Sequence, residues 1–359
     1  MALIHVKTHR LKKGMIIRAD VYNRSGVVLV PDGTVVTKEV FDLLTRHFID
    51  EVIVDYTLET PPAHIPAKTL TKQEEQQEKI KEFTKTYQVA EETLSNNLLD
   101  IVENDKEVDV HALLGLLNSV INKADGDINL CDLLFKMEQS SHVLYSHSIN
   151  VALYGQLLGR WLEFTPDEIE LVSLAGLLHD IGHLKYPKDD LSSFTLHDGL
   201  AKACHEQHPT YGYKILQNKN VDHRIKQAVL THHERLDESG FPLGVSFANI
   251  NQIARVLAIA DSYVTLITEE YGKPALSPFE ALKTLQETDY KKFDSKFLMT
   301  FIERISQNYI QHEVLLTNGQ TGTIIMLNKL DITRPLVQVD NHFIDLALQR
   351  DIGIEKFIN

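Results

Sequence analysis

The sequence predicts a mainly α protein: an all-helical core, with a small α+β module before it and a small β unit after it. Three observations carry this prediction. Apolar residues recur at helical spacing through most of residues 127–310. Short apolar runs alternate with turns in residues 1–56. The same alternation returns over residues 313–357.

In the N-terminal module, residues 1–60, Val27-Val28-Leu29-Val30 and Pro31-Asp32-Gly33 read as a strand and its turn. Val40, Leu43, Leu44 and His47 share one face of a helix over residues 40–48. Val52-Ile53-Val54 closes the unit as a strand. Pro61, Pro62 and Pro66 then punctuate a linker. Residues 61–126 combine that linker with a helical segment. Its first part, residues 72–85, is rich in Gln, Glu and Lys and reads as a solvated or partner-packed helix. No heptad persists there to favour a coiled-coil arm. Leu94, Leu98, Ile101 and Val102 supply an apolar stripe, as do Leu113, Leu117 and Val120.

The core, residues 127–310, has helical runs at 150–162, 166–178, 211–216, 225–232 and 250–267. The last is apolar almost all round, which places it centrally. Residues 311–359 form the β unit, with strands at 314–316, 323–326 and 336–339. Asn318-Gly319 and Arg334-Pro335 turn between them.

Composition narrows the function. A formal net charge of −14 argues against a broad grip on a nucleic acid polymer or an anionic membrane. A local basic pocket for a small phosphate ligand remains compatible with it. The two cysteines, Cys131 and Cys204, fit a reducing cytoplasmic setting rather than a disulfide scaffold. No apolar run approaches the roughly 20 residues of a membrane span, and the N-terminus lacks a signal-peptide apolar stretch.

Ten of the 17 histidines lie between positions 142 and 233. Imidazole is the commonest metal ligand. The strongest context is Leu177-Leu178-His179-Asp180-Ile181-Gly182-His183, where an apolar helix runs into His-Asp and then Gly. Burying that pair is costly unless something compensates it, and a divalent ion does. The plainer reading is a helix end capped by His, with Asp in solvent, and for this dipeptide alone the two are evenly matched. His232-His233 follows another apolar helix; the pair reads as ligands of different metals, as one ligand and one substrate contact, or as a polar helix end. Asp261 ends an apolar run and needs a cationic partner, a metal or a basic side chain. His208-Pro209 and His147, at the start of an amphipathic helix, complete the set.

The order His147, His179-Asp180, His208-Pro209, His232-His233, Asp261 resembles the HD-GYP family, a branch of the HD phosphohydrolase superfamily. The loop from Glu234 to Pro242 resembles that family's naming motif, with Phe241 where Tyr is usual. The resemblance spans about residues 130–290 and implies an all-helical HD-type core. It implies a cyclic di-GMP phosphodiesterase that opens the ring to linear pGpG, and onward to GMP, through a metal-bridging hydroxide. Iron or manganese ions would be held by His147, His179, Asp180, His208, His232, His233 and Asp261, with Asp180 as the bridge.

Departures from the family pattern shape further expectations. His183 stands where Lys is usual; it serves as a phosphate-facing cation when protonated, or as an extra ligand, and with Asp180 it is read as catalytic. Residues 140–146 hold no acid, only His142, which favours two metals over three. Val264 replaces a usual second Asp, and Lys273 is the one base left in a segment usually rich in Arg. Arg235, Lys273 and Phe241 are the candidate substrate contacts. Arg235 reads equally as an ion-pair partner of Asp237 or Glu238. His142, His197, His205 and His223 read as surface or supporting residues, and Trp161 as core. The metal centre thus looks intact and the substrate side altered. Two alternatives stand: the same chemistry on another nucleotide, or a non-catalytic signalling module. Expected partners are the cyclic dinucleotide and, through the flanking domains, a second copy or a signalling protein.

Overall fold

The computed structural model describes residues 2–8, 11, 14–22, 28–46, 49, 51–56, 72–124, 126–138, 144–186, 199–269, 274–288, 290–328 and 331–358. Two compact units divide the chain, Met1–Leu70 and Thr71–Asn359.

In the first unit, β1 (Ala2–Lys7) pairs antiparallel with β5 (Glu51–Tyr56), Leu3 opposite Asp55 and Lys7 opposite Glu51. The other edge of β5 pairs with β2 (Ile16–Ile17). A hairpin of β3 (Val21–Tyr22) and β4 (Val28–Val30) and helix α1 (Lys38–Arg46) complete it. Ile17, Val30, Val36, Leu44, Val52 and Val54 form its core. The expected α+β module is present, with β1 added where the mixed His-Lys-Arg composition masked strand alternation.

The second unit opens with α2 (Lys72–Glu103) and α3 (Val110–Ile121), the latter N-capped by Asp109. Next come α4 (Asp127–Glu138), α5 (Leu144–Trp161) and α6 (Pro166–Leu178). Thr165 and Glu168 form a capping box with Pro166 behind them, so α6 starts at a fully specified position. A short 3₁₀ turn, Ile181–Lys185, leads on to α7 (Gly199–Leu216) and α8 (His223–Thr231). Last come α9 (Gln252–Ile267), α10 (Pro278–Thr288) and α11 (Ser295–Asn308). Helix α9 is buried along nearly its whole length, as its apolar composition predicts.

The C-terminal strands are β6 (Glu313–Leu316), β7 (Thr321–Met326), β8 (Leu336–Val339), β9 (His342–Asp345) and β10 (Ile354–Ile358). They form one antiparallel sheet in the order β10-β6-β7-β8-β9. Its inner face joins the helical core: Phe357 packs 4.7 Å from the Tyr309 ring, and one continuous apolar cluster runs from Phe83 to Ile354. No described helix is long and apolar enough to cross a membrane.

One helical expectation changes in extent and another holds. The run expected at 211–216 is the end of α7, which begins at Gly199 and passes through Pro209. The run expected at 166–178 is α6 as observed, with His179 as its C-cap and Asp180 just beyond.

Candidate metal centre

Five histidines and two aspartates from α5, α6, α7, α8 and α9 converge in the core of the second unit. His147 sits in the first turn of α5, His208 in mid-α7 and Asp261 on α9. His179 is the C-cap of α6 and His232 the C-cap of α8. His179, His208 and His232 are fully buried, and Asp180, His233 and Asp261 nearly so.

Three of the imidazoles are aimed by one device. His179 Nδ1 donates to the Gly176 carbonyl at 2.7 Å, His208 Nδ1 to His205 at 2.6 Å and His232 Nδ1 to Val229 at 2.8 Å. A carbonyl only accepts, so each Nδ1 carries the proton and each Nε2 keeps its lone pair. Two of these carbonyls are available because a helix ends there. The third is available because Pro209 has no N–H to return to His205. The capped helix end and the candidate metal site are therefore the same arrangement: one ring nitrogen caps, the other faces the cluster. Pro209→Ala restores a competing N–H and should weaken metal binding about 10- to 100-fold, the scale of losing a ligand's orienting bond. Metal-competition titration measures this, and unchanged affinity would refute the orienting role.

The donors fall into neighbouring sets. Asp180, His208, His232 and His233 form one, and His147, His179 and Asp261 another; within each, the ligand atoms lie within 4.8 Å of one another. Asp180 spans both. Its Oδ1 is 3.1 Å from His208 Nε2, and its Oδ2 is 3.3 Å from His179 Nε2. Asp261 Oδ1 is 3.1 Å from His147 Nε2, and Oδ2 is 3.6 Å from His233 Nδ1. His232 and His233 both belong to the first set, because α8 ends at Thr231 and the chain turns there.

This donor set fits divalent ions on two observations. The buried His179 Nε2 has no hydrogen-bond partner: the Asp180 oxygen is close enough for an ion pair but not suitably directed. His208 Nε2 and His232 Nε2 face each other at 3.1 Å with both lone pairs inward, an arrangement that needs a cation between or beside them. Imidazole mixed with carboxylate suits transition ions such as Fe, Mn, Co or Zn.

Burial suppresses charge on most of the rings. It pushes His183 down to about 3, holds His232 and His233 well below the ordinary histidine value, and lowers His205 as well. At His179 burial also opposes charge, but the adjacent Asp180 outweighs it and raises the value. Burial opposes ionisation of Asp180 and Asp261, yet His179 and His208 hold the first, and His147 the second, well below the carboxylate range. The depressed histidines stabilise the fold above about pH 6.5, and that contribution is lost as pH falls, because the unfolded chain takes up protons first. The two aspartates act in the same sense below about pH 4. His179 has the opposite sign, its contribution lost as pH rises through its raised value. With four imidazoles against one, the Tm of metal-stripped protein should fall from about pH 7.5 to 5.5. A rise over that interval would contradict the balance.

The remaining expected residues are placed as follows. His183 Nε2 is 3.8 Å from Asp180 Oδ1, and its ring stacks on His208 at 4.0 Å. Phe241 packs on the rings of His233 at 4.5 Å and His205 at 5.2 Å. Arg235 Nη1 donates to the carbonyls of His232 and Glu234, and its guanidinium lies 5.0 Å from the Phe293 ring centroid. Val264 is core, and Trp161 packs beside Phe301. Lys273, His142 and His197 lie outside the described residues.

Three side chains escaped the sequence reading. His205, read as a supporting residue, stands with His183 and His208 as a third group of potential ligands. Its spacing of three from His208 was the available signal. Glu234 is buried, and its carboxylate accepts the backbone N–H groups of Leu243 and Val245 at 2.7 and 3.2 Å, fixing the loop that carries Phe241. Gly240 allows that loop to fold back: a Cβ there would meet the His233 carbonyl at 2.5 Å. Glu91, on α2, reaches Ser146 beside His147 and has one buried oxygen without a hydrogen bond, which raises its pKa through desolvation. Nothing local at residue 91 signals this.

Residues 131–297 match the family model described as HD domain. The chain is 27% identical over 207 residues to a cyclic di-GMP phosphodiesterase of Pseudomonas aeruginosa, covering 57% of this chain and 50% of the relative. It is 30% identical over 176 residues to the 3'3'-cGAMP-specific phosphodiesterase 1 of Vibrio cholerae, covering 49% of this chain and 41% of the relative. The chain thus spans about half the length of these relatives or less. A solved HDG"Y"P protein from Bdellovibrio bacteriovorus aligns with 84% of this chain and 98% of its own, at 18% identity and a TM-score of 0.49.

Proposed function

Because residues 131–297 match the HD domain family model, we propose that this chain is a metal-dependent phosphodiesterase that opens cyclic di-GMP to linear pGpG. The observation that carries the proposal is the buried donor set, in which three anchored imidazoles turn unprotonated Nε2 atoms toward a shared aspartate. His147, His179 and Asp261 would hold one ion and His208, His232 and His233 the other, with Asp180 shared between them and iron or manganese suited to this mixture. When bound, such ions acidify a water toward neutral pH and offset charge on a phosphodiester.

The chain's own residues supply the rest. The Nδ1 bonds fix ring orientation before any ligand arrives, so little reorganisation is left for the reaction. Asp180 directs one oxygen to each set and holds the two together. Phe241 shields His233 and His205 from water. His183 is neutral near pH 7, so here it acts as a neutral polar group or a ligand rather than as a phosphate-facing cation. Arg235 and Lys273 are assigned to the substrate phosphates and base, with Phe241 at the rim.

A second reading keeps the reaction and changes the substrate to another cyclic dinucleotide. Its support is the likeness to an enzyme named for 3'3'-cGAMP, together with the uncharged His183. Metal-reconstituted protein incubated with cyclic di-GMP and with 3'3'-cGAMP, and product chromatography, separates the two. Turnover of neither at full metal loading would leave the non-catalytic signalling module.

A further inference from the structure

Helix α2 precedes residues 131–297, yet it packs on α5, the helix that carries His147. Phe83, Tyr87, Ala90, Leu94, Leu98 and Ile101 form its buried stripe, spaced by three and four. Two polar groups on this side of α2 meet the first turns of α5. Tyr87 Oη donates to Asn150 Oδ1 at 2.7 Å and lies 3.1 Å from the Ser146 carbonyl oxygen. The Ser146 hydroxyl donates to the carboxylate of half-buried Glu91. Residues 87 and 91 are one turn apart on α2, and 146 and 150 one turn apart on α5, so the four side chains form one clamp. His147 follows the clamped Ser146, and its Nε2 is 3.1 Å from Asp261 Oδ1. The first turn of α5 has no acidic residue of its own, and Glu91 supplies the negative charge that a helix N-terminus favours. The clamp is costly: Glu91 Oε1 and Asn150 Nδ2 are buried without hydrogen-bond partners. Apolar side chains would join the two helices without that cost, so packing alone does not account for these residues.

We propose that Tyr87 and Glu91 are positioning residues: through Asn150 and Ser146 they fix the first turns of α5 and so hold His147 Nε2 toward Asp261. The ion assigned to His147, His179 and Asp261 then depends on a helix outside residues 131–297. The other ion does not, because His208 and His232 are aimed by carbonyls of their own helices.

This rests on the metal assignment proposed above and not on the identity of the substrate. Stepwise Co(II) titration of metal-stripped full-length protein, followed by calorimetry and visible absorption, tests it. Tyr87→Phe and Glu91→Ala should each weaken one of the two ions about 10- to 100-fold and leave the other unchanged. The weakened ion should be the one lost in His147→Ala, recognised by its absorption bands. Glu91→Gln keeps an acceptor for Ser146 and loses only the charge, so its affinity should return to within about fivefold of wild type. Leu94→Ala, on the buried stripe of α2, should lower Tm and leave both affinities as in wild type, which separates positioning from loss of packing. Unchanged affinities in Tyr87→Phe and Glu91→Ala, loss of the other ion, or equal weakening in Leu94→Ala overturns the positioning role and leaves the two-metal reading standing. Binding of no ion by the wild type overturns both.

Discussion

Asp180→Ala should abolish metal loading and hydrolysis together. The two oxygens of Asp180 approach separate ligand sets, His208 from Oδ1 and His179 from Oδ2, both within 3.3 Å. Its loss removes a ligand from each proposed ion and leaves facing imidazole lone pairs with no anion beside them. Turnover should drop by at least about 10³-fold, the scale of removing one charge-organising group from an active site. A chelator should lower the Tm of the wild type and leave that of the variant unchanged, because only the wild type has bound metal to lose. A variant that keeps both ions and more than a tenth of wild-type turnover would remove Asp180 from the bridging position.

Gly182→Ala should be the most damaging single substitution outside the ligands. A Cβ at Gly182 would overlap the carbonyl oxygen of His208 and come within 2.7 Å of the Gly212 backbone nitrogen. Both obstacles are backbone, so no side chain can turn aside. Overpacking of this kind costs about 3 kcal/mol or more when it forces two elements apart. The elements concerned are the 181–185 turn and α7, which carry His183 and His208. The variant should therefore lose denaturant stability and metal affinity in parallel. Stability within about 0.5 kcal/mol of wild type would show that the turn and α7 separate without penalty.

Legibility differed by residue. His179-Asp180 and His232-His233 stood out because polar residues ending an apolar helix demand compensation. Asp261 stood out because α9 is apolar almost all round. His208 was marked by Pro209, though the reason it matters, the carbonyl released at His205, appears only when the helix is seen to run through the proline. Glu234 looked like part of a polar loop, yet its carboxylate closes that loop on two backbone N–H groups. Glu91, more than 50 positions before Ser146, gave no local sign at all.

By itself the sequence determined the helical core, its flanking strands and the order of the ligand-bearing motifs. Periodicity, caps and turn residues act over a few positions and are written locally. Only the tertiary structure decided which donors share an ion, that both members of His232-His233 turn into one set, and that His205 joins His183. Those outcomes depend on where helices end and on how α5 to α9 pack, which bring together side chains up to 114 positions apart. His179-Asp180 shows both halves: the sequence marks the pair as costly to bury, and packing supplies the five other donors that surround it.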